Sequence, residues 1–470
     1  MDIKGVEKII LSDPLLLRLS TLAKNRKVPI FLVGGYIRNR LLGIDRNDYD
    51  FTLPREETHL ISHIEEALQI HFFMIGKEER NTLTYRWMDK ERSIDLSPFQ
   101  GQTIEEDLQR RDFTINAIAY SLKDGTFHWV ERALKDIENK VIRAVSTQSI
   151  DLDPLRMLRA VRYLCTLTGF SLDKNLTKEI STKRERLLKV PGERIKMELD
   201  RILLSPHPFL GMKTLYELGL LLTIFPEFKG LENLGQGRHH HLNVLSHILL
   251  MIEKISWAVR WLNLNQSSFT FSQEDWLSLF YSALFHDLGK QETFTKDENG
   301  NIHFYHHESF SSQMAEKIME RLRFSTTLKK RIIHLIQNHM RILNLNRETK
   351  DNALKRLVNQ VGDQVPLLVL HTLADKEASR GILSIQIDEV VEAHCLKILQ
   401  FFKEKMIVHP PVLITGHDII ALGYSPGPKV GEILNFIREK QIEGEVKSRE
   451  EAMQVLKERF GDGNRGSALH

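Results

Sequence analysis

Hydrophobic and polar residues alternate in short blocks up to about residue 142, and this pattern predicts strands and helices in turn. Runs typical of strands occur near Phe31, Tyr49, Phe72, Thr82–Trp87, Ile94 and Phe127–Val130. After Val141 the strand pattern fades, and apolar residues recur at helical spacing over nearly all of the remaining chain. The sequence therefore predicts an α+β protein in which an α/β head precedes helical segments.

The stretch Phe31–Leu53 combines a buried strand, a glycine turn, a short helix and a second strand. Gly34-Gly35 follows the first strand and allows the backbone to come close to a ligand. A helix is predicted over Tyr36–Leu42, with Leu41 and Leu42 facing the core and Arg38 directed elsewhere; Gly43 ends it. This order of elements is suited to holding the phosphates of a nucleotide.

The second strand of this stretch carries two acids, Asp48 and Asp50. Their carboxylates are expected on one face, and Tyr49 and Phe51 on the other. Two adjacent carboxylates repel each other unless a cation lies between them, and oxygen ligands suit magnesium. An isolated Asp-x-Asp usually marks a solvated strand edge, but here Gly-Gly stands thirteen residues earlier. Together the two features indicate a nucleotidyl transferase.

A second charged group lies in EEDLQRRDFTINAIAYSL, which starts at Glu105 and is expected to be a helix or the start of one. Arg110, Arg111 and Asp112 are adjacent there, either as a solvated salt-bridge cluster or as a site where arginines bind phosphate oxygens. Asp95, on a short apolar strand, either supports the acid pair or is an ordinary residue at a strand end.

Asp153–Leu167 is predicted to be a helix, with Asp153 as its N-cap and Pro154 at its first position. Asp153 and Arg156 are one turn apart, and such a pair is usually an intrahelical ion pair. The pair can also read a base, because the carboxylate accepts hydrogen bonds and the guanidinium donates them. Cytosine and adenine present the matching amine and ring nitrogen, whereas uracil and guanine reverse them.

Length and composition set limits on the class of protein. The 470 residues predict about three domains, and a net charge of +3 confines any nucleic-acid surface to local patches such as Lys183–Arg201. Cys165 and Cys395 are far apart and give no disulfide framework, which fits the reducing cytoplasm. Neither a signal peptide nor a membrane-spanning helix is predicted.

Histidines accumulate in the helical second half of the chain. They include the run His239–His241, and a further set with acids that consists of His247, His286, Asp287, His306, His307, His339 and Asp375. A single histidine on an apolar face is usually a core residue, but imidazole and carboxylate together suit a transition metal that activates water for phosphoester hydrolysis.

The motifs GGYIRNRLLG with Asp48-x-Asp50, RRDFTINA, LDPLRMLRAVR and ERIKMEL resemble those of the class II tRNA nucleotidyltransferase and poly(A) polymerase family, in the same order. The C-terminal half is similar to the variant with an HD phosphohydrolase domain. The resemblance implies a polymerase-beta-like nucleotidyltransferase head (1–142), a helical neck with base-reading and RNA-binding motifs (143–225), an HD body (226–400) and a helical, RNA-binding tail (401–470).

The resemblance also implies roles for individual residues. Asp48 and Asp50 are expected to be catalytic and to hold Mg²⁺, and Asp153 with Arg156 to read the base. The residues expected around the nucleotide are Gly34, Gly35, Arg38, Arg111, Asp112, Asn116, Asp153, Arg156, Arg159 and Arg162. The residues expected to bind a transition metal (Ni, Mn, Fe or Co) in the HD site are His247, His286, Asp287, His307, His339 and Asp375.

The expected reaction is template-independent addition of C, A or both to the 3′ end of tRNA from CTP and ATP. Two departures from the family pattern bear on the product: Leu152 stands where an acid usually precedes Asp153, and only fourteen residues separate Asp95 from Arg110. The short segment resembles the CC-adding branch. The alternatives are a poly(A) polymerase, an HD phosphohydrolase acting on RNA ends, and a non-catalytic RNA-binding protein.

Overall fold

The computed structural model divides the chain into two compact units, residues 1–224 and 225–470. It describes residues 2–76, 83–236, 242–266, 269–379, 389–407, 413–442 and 445–460. The run His239–His241 lies outside these ranges. The expected α+β class is confirmed, while the finer division into head, neck, body and tail stays a prediction.

Unit 1 contains a seven-stranded sheet with helices around it and a helical C-terminal half. Its helices are α1 Ile3–Ser12, α2 Pro14–Arg26, α3 Gly35–Leu41, α4 Ile61–Leu68, α5 Ile104–Gln109, α6 Ala133–Glu138, α7 Ser149–Leu152, α8 Arg156–Thr166, α9 Lys174–Lys183, α10 Gly192–Leu203, α11 Pro208–Glu217 and α12 Leu220–Ile224. Its strands are β1 Phe31–Val33, β2 Asp48–Leu53, β3 Phe73–Ile75, β4 Thr84–Met88, β5 Ser93–Pro98, β6 Ile118–Ser121, β7 Phe127–Trp129, β8 Val141–Ile142 and β9 Ser171–Leu172.

The large sheet has the strand order β3-β4-β5-β2-β1-β6-β7. Only the pair β2–β5 is parallel; the other neighbours are antiparallel. Strand β1 is buried throughout, as its apolar sequence predicts, and it lies between β2 and β6. The acidic strand β2 is therefore central in the sheet, where its neighbours hold it firmly.

Two sequence-based expectations in unit 1 are wrong in part. The apolar run after Asn116 is the strand β6, buried on both faces, and only Ile104–Gln109 of the preceding segment is α-helical. A short, continuous apolar run cannot be assigned to strand or helix by its periodicity, because both forms bury it equally well. In helix α3, Arg38 is buried whereas Leu41 and Leu42 are only half-buried, because Arg38 finds polar partners inside the unit.

Strands also occur beyond residue 141, where none was expected. β8 pairs with β9 in parallel, and in unit 2 a hairpin joins β10 (Phe294–Lys296) to β11 (Ile302–Phe304). These strands have two or three residues each, which is too short for an alternating pattern to be detected.

The described residues of unit 2 are helical or in loops and turns apart from that hairpin. Its elements are α13 Val244–Asn265, α14 Gln273–Phe285, β10 Phe294–Lys296, β11 Ile302–Phe304, α15 His307–Arg321, α16 Thr326–Asn338, α17 Met340–Leu343, α18 Asp351–Val361, α19 Val365–Ser379, α20 Glu389–Ile407, α21 Gly416–Ala421, α22 Pro428–Ile442 and α23 Arg449–Phe460. Helices α13 and α19 pack along each other and are rich in buried aliphatic side chains.

The last three helices have a small core of their own, formed by residues such as Ile419, Ile433, Val446 and Leu456. Among the described helices of the whole chain, none combines the length and the apolar character that a membrane span requires.

Candidate functional site

Asp48 and Asp50 lie on strand β2 and share one face of the sheet, as predicted. Tyr49 and Phe51 point to the opposite face and are buried there. Tyr49 stacks on Tyr36 of helix α3 with ring centroids 5.0 Å apart. The aromatic face fixes the register of β2, since a slip by one residue would bury both carboxylates.

The two acids differ in their surroundings. Asp48 is exposed, and its Oδ1 accepts a hydrogen bond of 2.8 Å from the Ser93 hydroxyl. Burial raises the pKa of Asp50 to about 6, the Arg111 guanidinium opposes this, and the charges of Asp95 and Asp48 add to it. Protein groups therefore leave the negative charge of Asp50 only partly balanced.

Asp95 is next to this pair. It is the Cα partner of Asp50 across the parallel strands β2 and β5. Its carboxylate accepts two hydrogen bonds from Arg86 of strand β4, at 2.7 and 2.5 Å. Asp95 is thus close to the acid pair, and its own charge is balanced by Arg86.

The Gly34-Gly35 turn lies beside the acids and the arginines. Gly34 has φ +68°, and a Cβ atom at this position would be 3.2 Å from Nη1 of Arg111. A Cβ atom on Gly35 would be 3.7 Å from Nη2 of Arg38 and 3.8 Å from Oδ2 of Asp50. The absence of side chains at the turn therefore keeps open the space between the carboxylate and the two guanidinium groups.

A buried polar network lies behind the turn. Arg38 donates to Oδ1 of Asn116, whose amide donates to Oδ1 of Asp112 at 3.0 Å. Arg159 Nη2 is 2.7 Å from Oδ2 of Asp112. Burial would raise the pKa of Asp112, but the Arg159 charge and the Asn116 hydrogen bond hold it below its usual value. Four predicted nucleotide-binding residues thus bond to one another and support the site.

Tyr163 of helix α8 joins this network and was not predicted. The guanidinium of Arg38 lies 5.0 Å from its ring centroid and that of Arg162 lies 4.6 Å from it. Arg162 also donates to Glu198 of α10 at 2.8 Å. No sequence signal connects Arg162 with Glu198, since the two residues are thirty-six positions apart.

The predicted base-reading pair is placed at the start of helix α8, but its members have separate partners. The regular helix begins at Arg156 and not at Pro154, although the Leu155 amide donates to Oδ1 of Asp153 as in a cap, at 3.2 Å. Oδ2 of Asp153 accepts from Nη2 of Arg194 at 2.9 Å. Asp153 and Arg156 therefore form no direct ion pair.

Arg156 bonds to the backbone of the Arg110-Arg111 segment. Its Nη2 donates to the Arg110 carbonyl at 2.6 Å, and its Nη1 donates to the Arg111 carbonyl at 3.2 Å and to Oγ of Ser149 at 2.9 Å. The segment between Asp95 and Arg110 consists of the end of β5, a bend and helix α5. It is an ordered part of unit 1.

Unit 2 contains a second candidate site, made of histidines and aspartates. Each member offers one ligand atom, and these atoms lie within 4.8 Å of one another in two buried groups: His247, His286 and Asp375, and Asp287, His307 and His339. All six predicted ligands are therefore brought together, from helices α13, α15 and α19, the loop after α14, and the residue between α16 and α17.

Asp287 lies between the two groups. Its Oδ2 is 3.2 Å from Nε2 of His286 and 3.7 Å from Nε2 of His247, and its Oδ1 is 3.4 Å from Nε2 of His307. Nε2 of His247 is also 3.1 Å from Oδ1 of Asp375. A carboxylate in this position can serve both groups at once.

Backbone carbonyls orient three of the imidazole rings. Nδ1 of His286, His307 and His339 lies 2.9, 2.9 and 2.7 Å from the carbonyls of Ala283, Phe304 and Ile336. A ring that donates from Nδ1 presents the Nε2 lone pair, and this is how metal-binding histidines are usually oriented. Nε2 of His307 and Nε2 of His339 are only 3.1 Å apart, where two lone pairs need a shared cation or proton.

The surroundings favour the metal-binding protonation states of Asp287 and His339, whereas the charge of Asp287 raises the pKa of His286 against the effect of burial. Burial alone would raise the pKa of Asp287, but His286 and Lys290 hold it well below its usual value. Burial and the neighbouring histidines lower the pKa of His339 well below its usual value.

Gly289 allows the chain to pass close to α15, since a Cβ atom there would be 2.5 Å from the His307 carbonyl.

His371 is a cluster neighbour that the sequence did not reveal. It is buried on α19 one turn before Asp375, with its ring centroid 5.3 Å from that of His286 and 5.7 Å from that of His339. The spacing of four residues between His371 and Asp375 was the available signal, because such residues share one face of a helix.

The donor sets fit two different kinds of metal. Asp48 and Asp50 offer only oxygen atoms as ligands. The pKa of Asp50 is raised because burial and the neighbouring acids destabilise its negative charge, and a hard cation would stabilise that charge. The cluster in unit 2 combines imidazole nitrogen with carboxylate oxygen, which suits a transition metal.

Comparisons with known proteins cover both units. Residues 30–143 match the poly A polymerase head domain, residues 169–231 match the probable RNA and SrmB-binding site of polymerase A, and residues 292–456 match a putative tRNA nucleotidyltransferase domain 2. Among solved structures, the Bacillus stearothermophilus CCA-adding enzyme in complex with CTP matches with a TM-score of 0.65 at 21% identity, covering 95% of this chain and 98% of that one.

Two curated relatives match over most of their length. The A-adding tRNA nucleotidyltransferase of Deinococcus radiodurans is 31% identical over 436 residues, covering 90% of this chain and 93% of the relative. The CC-adding tRNA nucleotidyltransferase of Thermus thermophilus is 32% identical over 438 residues, covering 91% and 92%. The chain is therefore a nucleotidyltransferase and belongs to the class II tRNA nucleotidyltransferase family.

Proposed function

We propose that the chain transfers CMP, AMP or both from CTP and ATP to the 3′ hydroxyl of tRNA, without a template and with Mg²⁺. The observation that carries this is the placement of Asp48 and Asp50 side by side on β2, next to the open Gly34-Gly35 turn and Arg111. The full-length relatives are named for adding A or CC to tRNA, which supports tRNA as the acceptor.

In this reaction the 3′ oxygen of the RNA forms a bond to the α-phosphorus, the bond to the β-phosphate oxygen breaks, and pyrophosphate leaves. The hydroxyl proton passes to solvent. Mg²⁺ held by Asp48 and Asp50 would stabilise the charge on the attacking and leaving oxygens. Arg38 and Arg111 border the turn where the phosphates would bind, and guanidinium groups suit phosphate oxygens.

The base is read by the protein in this proposal. Asp153 would accept from the exocyclic amine of cytosine or adenine, and Arg156 would donate to the adjacent ring nitrogen. The A-adding and the CC-adding relative are almost equally similar to the chain, so the comparison with them does not decide between A addition and CC addition. The short Asp95–Arg110 segment favours CC addition. A poly(A) product finds no support in the names of these relatives.

We further propose the head, neck, body and tail at 1–142, 143–225, 226–400 and 401–470, with RNA along the neck and tail. The head, RNA-binding and second-domain matches are compatible with this order. Cys165 and Cys395 are both buried and unpaired, which supports a reducing cytoplasm as the location.

The direct test is incorporation of labelled CTP and ATP into a tRNA that lacks its terminal CCA. Asp48→Asn should abolish incorporation while tRNA binding, measured by filter retention, stays within about twofold. Asp45→Asn is the matched control, since Asp45 is an exposed acid three positions away that pairs with Arg40. Turnover retained in Asp48→Asn would contradict the assignment.

We propose, as a second function, metal-dependent phosphoester hydrolysis in unit 2, on cyclic or terminal phosphates of RNA ends. The two buried ligand groups joined by Asp287 favour it. A transition metal bound there would supply a nucleophilic water at neutral pH. The protein holds the ring orientations through backbone carbonyls and keeps Lys290, 2.7 Å from Asp287, beside the centre.

This function predicts hydrolysis of a 2′,3′-cyclic nucleotide that Mn²⁺, Ni²⁺ or Co²⁺ stimulates. His307→Asn should lose the activity. His306→Asn should retain it, because the His306 side chain is 84% exposed and asparagine tolerates its positive φ. Equal activity in both variants would show that the histidine cluster is not the source of hydrolysis.

A further inference from the structure

Asp153 is held at both of its carboxylate oxygens. Oδ1 accepts from the Leu155 amide at 3.2 Å, and Oδ2 accepts from Nη2 of Arg194 at 2.9 Å. Arg194 belongs to helix α10, in a different part of the sequence. Two donors from different elements therefore fix the plane of this carboxylate, whereas either one alone would leave it free to rotate about the remaining contact.

The residue that precedes Asp153 contributes no polar contact of this kind. Leu152 is apolar and 61% exposed, at the end of helix α7. An apolar side chain cannot hydrogen-bond to a carboxylate or to the residue that holds one. The orientation of Asp153 thus depends on Arg194 together with the backbone.

Arg156 is oriented independently of Asp153. It is bonded to the carbonyls of Arg110 and Arg111 and to Ser149. A guanidinium has five N–H donors, so these bonds leave donors for a ligand. The acceptor and the donor of the base-reading pair are therefore positioned by separate sets of contacts.

We propose that Arg194 is a positioning residue that sets base selectivity by holding the Asp153 carboxylate in its accepting orientation; this rests on the proposed nucleotidyl transfer. An oxygen of a carboxylate has two lone pairs, so Oδ2 can accept from Arg194 and from the amine of cytosine or adenine together. Uracil presents a carbonyl oxygen at that place, and a fixed carboxylate repels it. If the carboxylate can rotate away, the uracil carbonyl oxygen is no longer repelled.

The test compares steady-state kcat/KM for the nucleotide that the wild type adds with kcat/KM for UTP, on the same tRNA, in Arg194→Met, Arg194→Lys and Arg186→Met. Arg186 pairs with Asp151 at 2.9 Å and is 46% exposed, against 2.9 Å and 49% for Arg194. Arg186→Met therefore removes an equivalent ion pair, whose acid, Asp151, lies two residues before Asp153. Thermal unfolding of each variant reports on folding.

Arg194→Met should lower selectivity against UTP roughly tenfold, as expected for the loss of one charged hydrogen bond. The KM for the cognate nucleotide should rise, and the KM for UTP should fall. Arg194→Lys should recover part of it, because lysine restores the charge without the planar fork. Arg186→Met should keep wild-type selectivity even if tRNA binding weakens.

Two results would overturn the inference: an unchanged selectivity ratio in Arg194→Met, or an equal loss in Arg194→Met and Arg186→Met. Uniform loss for all nucleotides together with a lower unfolding temperature would likewise assign Arg194 a purely structural role. A wild-type protein that adds no nucleotide to tRNA would instead refute the proposed function itself, so the two failures are distinguishable.

Discussion

The two candidate metal sites handle negative charge in opposite ways. On strand β2, the pKa of Asp50 is raised to about 6 by burial and by its acidic neighbours. In unit 2, the pKa of Asp287 is held well below its usual value, because His286 and Lys290 outweigh the effect of burial. The first site leaves a charge that an incoming cation would stabilise, whereas the second already balances its carboxylate.

This difference fits two ways of using a metal. A site with unbalanced oxygen ligands suits Mg²⁺ that arrives with the phosphates of a substrate, because Mg²⁺ is usually bound by few carboxylates plus substrate oxygens. A buried set of imidazoles with their Nδ1 atoms fixed by carbonyls suits a resident transition metal. The comparison predicts that the two activities can be removed separately.

The largest expected effect is this separation. Asp48→Ala should lower nucleotide incorporation on the order of 1,000-fold or more, and leave hydrolysis of a cyclic phosphodiester unchanged. His286→Ala should do the reverse. Assays of both activities on both purified variants check it. Loss of both activities in either variant would show that the sites do not act independently.

The next prediction concerns the metal affinity of the unit 2 cluster. If each of the two ligand groups binds one metal ion, Asp287→Asn should lower the affinity for both ions by roughly 100-fold or more, since Asp287 faces both groups. His339→Asn should weaken the binding of one ion only, because His339 belongs to one group. The measurement is elemental analysis after loading with Mn²⁺ and dialysis. Equal retention in wild type and Asp287→Asn would contradict a shared carboxylate.

The raised pKa of Asp50 predicts that Mg²⁺ binding at the first site depends on pH. Asp50 must lose its proton to bind Mg²⁺, so apparent Mg²⁺ affinity should be constant above about pH 6 and fall up to tenfold per pH unit below it. Titration of activity with Mg²⁺ from pH 5 to 8 measures this. An affinity that stays constant down to pH 5 would show that Asp50 is ionised throughout.

The smallest expected effect is on stability. The pKa of Asp50 is above its ordinary 3.8, so the folded protein holds this proton more tightly, and stability decreases as pH rises from about 4 to about 6. At neutral pH in EDTA, Asp50→Asn should therefore raise stability by about 1–2 kcal/mol, or a few degrees in the unfolding midpoint. Asp48→Asn, at an exposed position, should change it less. Calorimetry without metal decides between these outcomes.

How far the sequence predicted the structure depended on the kind of contact. The shared face of Asp48 and Asp50 followed from the period of a strand. The six residues that the family resemblance names in unit 2 lie together in two groups, and their role as metal ligands stays a prediction. Local periodicity and short motifs can be recognised in the sequence alone. From Glu105 the sequence predicts a helix or the start of one, and it does not reveal the strand β6 in the apolar run that follows, since a fully buried apolar run has no distinguishing period.

Long-range polar partners could not be predicted. The bond from Arg194 to Asp153 and the contact of Arg38 with the Tyr163 ring join positions that are far apart in sequence. Arg156 looked like an ion-pair partner of Asp153, but it bonds to the Arg110 and Arg111 carbonyls instead. Such choices depend on which acceptors the fold brings within reach.

Nucleotide addition to the 3′ end of tRNA can be measured by a single-nucleotide extension assay. A tRNA lacking CCA, the same tRNA ending in CC, and an unstructured RNA are each incubated with Mg²⁺ and one of the four triphosphates, and the products are resolved on a sequencing gel. We expect one or two added C residues on the first tRNA, one A on the tRNA ending in CC, or both, with UTP and GTP rejected. Long A tails on any RNA, or no extension of either tRNA, would contradict this expectation.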